Sequence, residues 1–189
     1  MGRMHPRPRL IGKVDLVPVP WRNGQGVTRD LATVHGADGA LRWQVSIADL
    51  DRDTGFSDYS GYDRVFTPIA GTIALAFEDG LFESCPLLVP VPFAGERQTR
   101  CRVDAPGRAF NVLVDRRYHR GEATILRLQP GDAAMPPSAG LSVLHVLSGQ
   151  VQVGTLPAGE WLLAAGDSVQ DPGTVIAAEA CVILQAWIS

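Results

Sequence analysis

The chain has 189 residues, of which 46% are hydrophobic and 20% charged, and its formal net charge is −3. That apolar content excludes a disordered chain, and the slightly acidic balance excludes a dedicated nucleic-acid binder, whose domain is ordinarily basic. No apolar run approaches the roughly 18 residues a membrane-spanning helix needs, so no membrane partner is expected. Cys85, Cys101 and Cys181 are scattered and lack any CxxC spacing. Neither a disulfide framework nor a structural zinc site is expected from them, and a cytoplasmic location is the expectation that follows.

Taken in chain order, residues 1–12 read as a flexible lead-in, rich in Arg and Pro and without an apolar signal core. Residues 21–30 hold two glycines and then begin a strand. Leu41-Arg42-Trp43-Gln44-Val45-Ser46-Ile47 alternates apolar and polar with period two, the mark of a half-buried strand. Residues 64–69, Gly71 and residues 72–77 read as strand, turn and strand. Further strands are expected at 109–114, 123–128, 141–147, 150–153, 161–164, 168–170, 174–177 and 181–188. Gly, Pro and Asp separate these runs at short intervals, which predicts an all-β protein with little helix.

An internal repeat is visible. Residues 65–75 and 144–153 each give an apolar strand, a glycine and another apolar strand. In the second copy, Gly166-Asp167 and Pro172-Gly173 follow. This arrangement resembles the core of a cupin barrel, and two copies imply a bicupin. The expected division is a barrel over 13–118 and a second over 119–189, with strands shared between them.

Three constellations bear on chemistry. His5, His35, His119 and His145 are isolated, with no HxH pair and no His after Pro172-Gly173, so neither a metal nor another cofactor is expected and His145 reads as structural. Asp49-Leu50-Asp51-Arg52-Asp53-Thr54-Gly55 imitates a calcium loop but misplaces the glycine, and Ser60 stands where a bidentate Glu belongs. The GxG of Trp21-Arg22-Asn23-Gly24-Gln25-Gly26 has no βαβ context. It reads either as an anion-binding nest or as a tight turn beside a packed Trp.

Trp21-Arg22-Asn23-Gly24-Gln25-Gly26-Val27-Thr28-Arg29-Asp30 resembles the W-x-N-G-G-G-x-T-R-E opening of the HutD/Ves family. Trp43-Gln44-Val45-Ser46-Ile47-Ala48 is similar to its W-R-x-S-x-A strand. The segment from Gly55 to Arg64 is similar to G-x-F-S-x-F-x-G-x-x-R, and Pro92-Phe93-Ala94-Gly95-Glu96 and Phe110-Asn111-Val112-Leu113 to two later motifs. The resemblance spans residues 14–188. It implies an RmlC-like bicupin, linked in many bacteria to histidine catabolism, with no established catalytic activity. The chain departs from the pattern at Gln25, Asp30, Gln44 and Ala109, and lacks a Trp after Glu96.

On this reading the chain binds a small carboxylate metabolite, of the urocanate or formylglutamate type, in a sensing or regulatory role, and no catalytic residue is assigned. Arg29 and Arg64 are the expected clamps, because a guanidinium binds a carboxylate bidentately. Asn23, Thr28, Ser46 and Asn111 are expected to orient the ligand. A structural role for both arginines, pairing with Asp30 and Asp63, is the competing reading. A second copy of the chain is an allowed partner. The alternative function is a metal-independent isomerase or epimerase, recognisable by a titratable residue next to Arg64.

Overall fold

The computed structural model describes residues 8–137, 139–153 and 161–189. Its strands are β1 (Arg9–Ile11), β2 (Pro18–Pro20), β3 (Val27–His35), β4 (Leu41–Leu50), β5 (Thr54–Gly55), β6 (Tyr62–Ala76), β7 (Phe82–Cys85), β8 (Val91–Ala94) and β9 (Arg100–Asp115). There follow β10 (Gly121–Leu128), β11 (Ala133–Ala134), β12 (Leu141–Ser148), β13 (Gln150–Val153), β14 (Trp161–Ala164), β15 (Ser168–Gln170), β16 (Val175–Ala177) and β17 (Cys181–Ile188). Among the described residues the helical element is a single 3-10 turn, Lys13–Asp15. None of their helices is long and apolar enough to cross a membrane.

The chain divides into two compact units. One takes in Leu16–Ala123; the other joins the N-terminal segment up to Asp15 to Thr124–Ser189. The expected boundary between 118 and 119 thus falls a few residues early. The first residues also differ from the flexible lead-in read from their composition. Residues 1–7 lie outside the described residues, but Arg9–Ile11 is a strand, with Leu10 opposite Val169 and Ile11 buried. Main-chain pairing along β15 fixes a segment whose composition alone reads as loose.

The Leu16–Ala123 unit is one eight-stranded sheet with the path β2-β3-β4-β9-β6-β7, to which β5 adds on β9 and β8 on β6. The path does not return on itself, so the closed barrel expected here is an open ladder. At one end stands the Pro-Val-Pro of β2, where proline's missing amide proton costs no ladder bond on the open edge. On β4 the alternation read from sequence holds. Trp43, Val45 and Ile47 are buried on one face of the sheet, and Gln44 and Ser46 take the other. An apolar cluster of Leu50, Phe66, Ile73, Leu75, Phe93, Cys101 and Ala109 forms this unit's core, with Trp21 and Phe56 packed against it.

Gly71 is not the turn its flanks predict. It lies within the single strand β6, at a break in register with β9. It adopts φ 85°, and a Cβ there would sit 2.6 Å from the Ala105 carbonyl oxygen and from the Gly107 Cα. The glycine permits both the left-handed backbone and the close crossing of two main chains.

The other unit holds a sheet ordered β1-β15-β12-β17-β10 and a sheet ordered β11-β16-β13-β14. Gly149 (φ 78°) separates β12 from β13 and passes the chain from one sheet to the other. The core is Leu144, Val146, Val151, Val153, Leu163, Val169, Val175, Ala177, Cys181 and Ile183. His145 is buried, and its Nδ1 lies 2.9 Å from the Ser168 hydroxyl directly opposite on β15.

Candidate functional site

A cavity of about 550 Å³ opens on the polar face of β3, β4, β9 and β6. That volume falls within the range of small-molecule sites. Two rows of facing residues build its floor. Thr33, Gln44, Leu113 and Arg64 stand side by side across the four strands, and Asp30, Ser46, Asn111 and Phe66 form the next row. A register break between Asp30 and Ala32 shifts the alternation of β3 by one residue. Thr28 and Asp30 before the break, and Thr33 and His35 after it, therefore all line the cavity.

Thr28, Ser46, Arg64 and Asn111, four of the expected ligand-binding residues, come together here. Ser46 is buried, and the Thr28 hydroxyl donates to the Ile47 carbonyl at 3.1 Å. Asn23 and Arg29 do not join them. Arg29 falls between Thr28 and Asp30, so the strand's period of two turns it to the opposite face, where it pairs with Asp49. Asn23 works inside its own turn. Its amide donates to the Gly55 carbonyl at 2.8 Å, and its side-chain oxygen accepts from the Gln25 amide at 3.1 Å. The GxG segment is thus a clamped turn, not an anion nest. Trp21 N–H donates to the Gly26 carbonyl, and Gln25 Oε1 accepts from Thr54 and from the Gly55 amide. A Cβ at Gly26 would enter the Trp21 ring.

Because the Arg29–Asp49 pair is about one-third exposed on both sides, it contributes little, on the order of 1 kcal/mol or less. Arg29→Gln is therefore expected to keep both carboxylate affinity, within about twofold, and melting temperature near the parent's. Calorimetric titration and a melting curve check this; a tenfold loss of affinity would return Arg29 to the site.

Arg64 is the chemical centre of the cavity. Its guanidinium carbon lies 5.1 Å from the ring centre of Phe56, 5.3 Å from Tyr59 and 5.7 Å from Phe93, which faces it across the β6–β8 pairing. No carboxylate among the described residues pairs with it, so the expected Asp63 partner is not one: Asp63 bonds Arg116 instead. Desolvation lowers its pKa to about 10. A second arginine does converge, but it is Arg22, whose guanidinium carbon lies 5.3 Å from the same Tyr59 ring. Arg22 also lines the cavity and has no carboxylate partner among the described residues.

At the other side of the floor sits Asp30. Gln44 Nε2 donates to its Oδ1 at 2.8 Å, and Thr33 Oγ1 to its Oδ2 at 3.4 Å. Of the departures from the family pattern, Gln44 bonds Asp30, whereas Ala109 is fully buried opposite Ala48. Sequence reasoning placed Gln44 beside Ser46 on the polar side of its strand but missed Arg22, Asp30 and Tyr59 as cavity residues. The signal available was their place in the same motifs as Thr28, Ser46 and Arg64. The calcium-like loop is spent on protein contacts, with Asp49 on Arg29, Asp51 on Arg52 and Asp53 accepting the Val103 amide. Among the described residues no group of three or more His, Cys, Asp or Glu side chains gathers to hold a metal.

The all-β fold, with its polar cavity on one sheet face, is of the cupin-like class of folds. A cupin 2 conserved barrel domain protein from Leptotrichia buccalis shares the fold, with a TM-score of 0.63 at 11% identity, over 96% of each chain. Within that class the chain belongs to the HutD family, whose sequence model matches residues 13–179. An uncharacterized 21.2 kDa protein in the hutC 3' region of Pseudomonas putida is 31% identical over 150 residues, 77% of this chain and 76% of that one. A conserved protein of unknown function from Pseudomonas aeruginosa PAO1 superposes with a TM-score of 0.84 at 24% identity, over 97% of this chain and all of that one.

Proposed function

We propose that the chain is a bicupin that binds a small carboxylate metabolite at Arg64, in a sensing or regulatory role. One observation carries this: a desolvated guanidinium, walled by three aromatic rings and without a carboxylate partner among the described residues, faces a cavity of ligand size. Burying a charge costs free energy unless a counter-charge is supplied, and a carboxylate supplies both the charge and two acceptors in the guanidinium plane. Ser46, Thr28 and Asn111 add short polar groups along the floor, while Phe56, Phe66 and Leu50 give it an apolar wall. The Pseudomonas putida relative is named for the hutC 3' region. That name supports a ligand from histidine breakdown, of the urocanate or formylglutamate type.

An isomerase would need an acid–base pair. Tyr59 is the titratable neighbour of Arg64 that such an enzyme calls for, and Asp30 and His35 also line the cavity, but no hydrogen bond among the described residues joins any of these three side chains to another: Asp30 is held by an amide and a hydroxyl. The binding reading is therefore the one the geometry favours. Thermal shift with urocanate, N-formylglutamate and acetate, each against its amide or ester, tests it. Only the free carboxylates should raise the melting temperature, because a ligand selective for the folded chain stabilises it by mass action. No shift with any carboxylate at millimolar concentration would end the proposal.

A further inference from the structure

Resting on the reading of Arg64 as a carboxylate site, we infer that the ligand also carries an N–H donor group, an amide or an amine, and that Asp30 receives it. The floor of the cavity is bipolar. Arg64 stands on β6 and Asp30 on β3, with β4 and β9 between them. Three strand spacings amount to roughly 14 Å along the sheet. An anion the size of acetate that touches Arg64 therefore leaves Asp30 uncontacted, and a short chain with a polar group at each end addresses both.

The chemistry of the Asp30 end selects a donor. An ionised carboxylate offers about four lone-pair sites. Here each oxygen accepts one bond from a neutral partner, Gln44 Nε2 and Thr33 Oγ1. No arginine, lysine or histidine among the described residues pairs with Asp30, whose hydrogen-bond partners are neutral, and the residue lines the cavity. A second carboxylate at this position would meet like charge. A nitrogen that carries hydrogen would complete the acceptor set through a charge-assisted bond. Gln44 sets this preference as much as Asp30 does: a cation at position 44 would occupy the carboxylate, whereas the amide orients it and leaves its charge in place.

Isothermal titration with four probes of equal chain length tests the inference: pentanoate, glutarate, 5-aminopentanoate and glutaramate, the monoamide of glutarate. The parent should bind the amine and the amide at least about tenfold more tightly than pentanoate, and bind glutarate no better than pentanoate. Asp30→Asn should erase that preference while pentanoate affinity stays within about twofold. Gln44→Arg, which keeps Asp30 but pairs it, should do the same and covers the case in which the first variant fails to fold. Arg64→Met should weaken all four probes together. If the parent binds all four equally through Arg64, or if glutarate binds best, the donor inference is wrong and the carboxylate site stands. If no probe binds, or Arg64→Met changes nothing, both readings fall.

Discussion

Arg64→Met is expected to melt a few degrees above the parent and to lose its carboxylate affinity by about ten- to a hundredfold. The two effects have opposite signs because they have the same cause. The three ring centres lie 5.1, 5.3 and 5.7 Å away, near the roughly 6 Å limit of a cation–π contact, so each contributes toward the low end, about 0.5–1 kcal/mol, whereas the effective penalty for withdrawing an unpaired ion from water is several kcal/mol. The penalty wins, and the folded chain carries it until an anion arrives. Its pH dependence follows. The pKa of Arg64 is lowered to about 10 in the folded chain, so the unfolded chain binds that proton more tightly. The destabilisation is complete below about pH 10, and stability recovers only as pH rises through the window between 10 and the ordinary arginine value. At neutral pH, methionine keeps the apolar stem against Phe56 and Phe93 and removes the charge. Melting curves of both chains, with and without N-formylglutamate, check this. A variant melting well below the parent would show that the guanidinium braces the ring cluster instead of waiting for a ligand.

Much of this site is legible in the residues, and the failures are failures of parity. The alternation of Trp43, Val45 and Ile47 with Gln44 and Ser46 already says that β4 presents a polar row, and the structure puts that row on the cavity floor. Arg64 on β6 and Asn111 on β9 lie in motifs read from the sequence, but they reach the same floor because β9 inserts between β4 and β6 and pairs with both, an order that chain sequence alone does not dictate. The choice of Arg29 failed because one residue decides the face of a strand. Thr28 and Asp30 point into the cavity, and Arg29 between them cannot. Arg22 is reached only through the turn that precedes β3. That turn's geometry depends on Asn23 and Gln25 gripping Thr54 and Gly55, some thirty residues away. Nothing local to residues 21–30 encodes that grip. The register break after Asp30, which brings Thr33 to the carboxylate, is equally invisible, since bulges answer to the partner strand. At the level of the fold, the period-two runs specify strands, but Gly71 shows the limit. A glycine between two apolar runs marks a place where the backbone must do something unusual, and only the partner strand decides whether that is a turn or a crossing.

Gly107→Ala is expected to be the most damaging conservative substitution in the Leu16–Ala123 unit. Gly107 lies on β9 opposite the break in β6. A Cβ there would sit 2.0 Å from the Ala70 carbonyl oxygen, 2.7 Å from its carbon and 2.8 Å from the Gly71 Cα. All three are main-chain atoms, so no side chain can swing away; β6 or β9 itself must move. Forcing one extra carbon into a packed region costs typically 1–3 kcal/mol, and a clash with two rigid strands belongs at or above the top of that range. A loss of about 3 kcal/mol corresponds to a melting temperature lower by about 10 °C. Because β6 also carries Tyr62, Arg64 and Phe66 onto the cavity floor, the same displacement should weaken carboxylate binding in whatever fraction remains folded. Gly55→Ala is the matched control. Its nearest neighbour would be Gln25 Oε1 at 3.7 Å, an ordinary contact, and its φ is not in the left-handed region. Replacing glycine there lowers the entropy of the unfolded chain, so the control should melt at the parent temperature or slightly above it. If Gly107→Ala melts with the control, the strands separate at no cost, and the crossing at Gly71 and Gly107 is a consequence of the β6–β9 pairing instead of a condition for it.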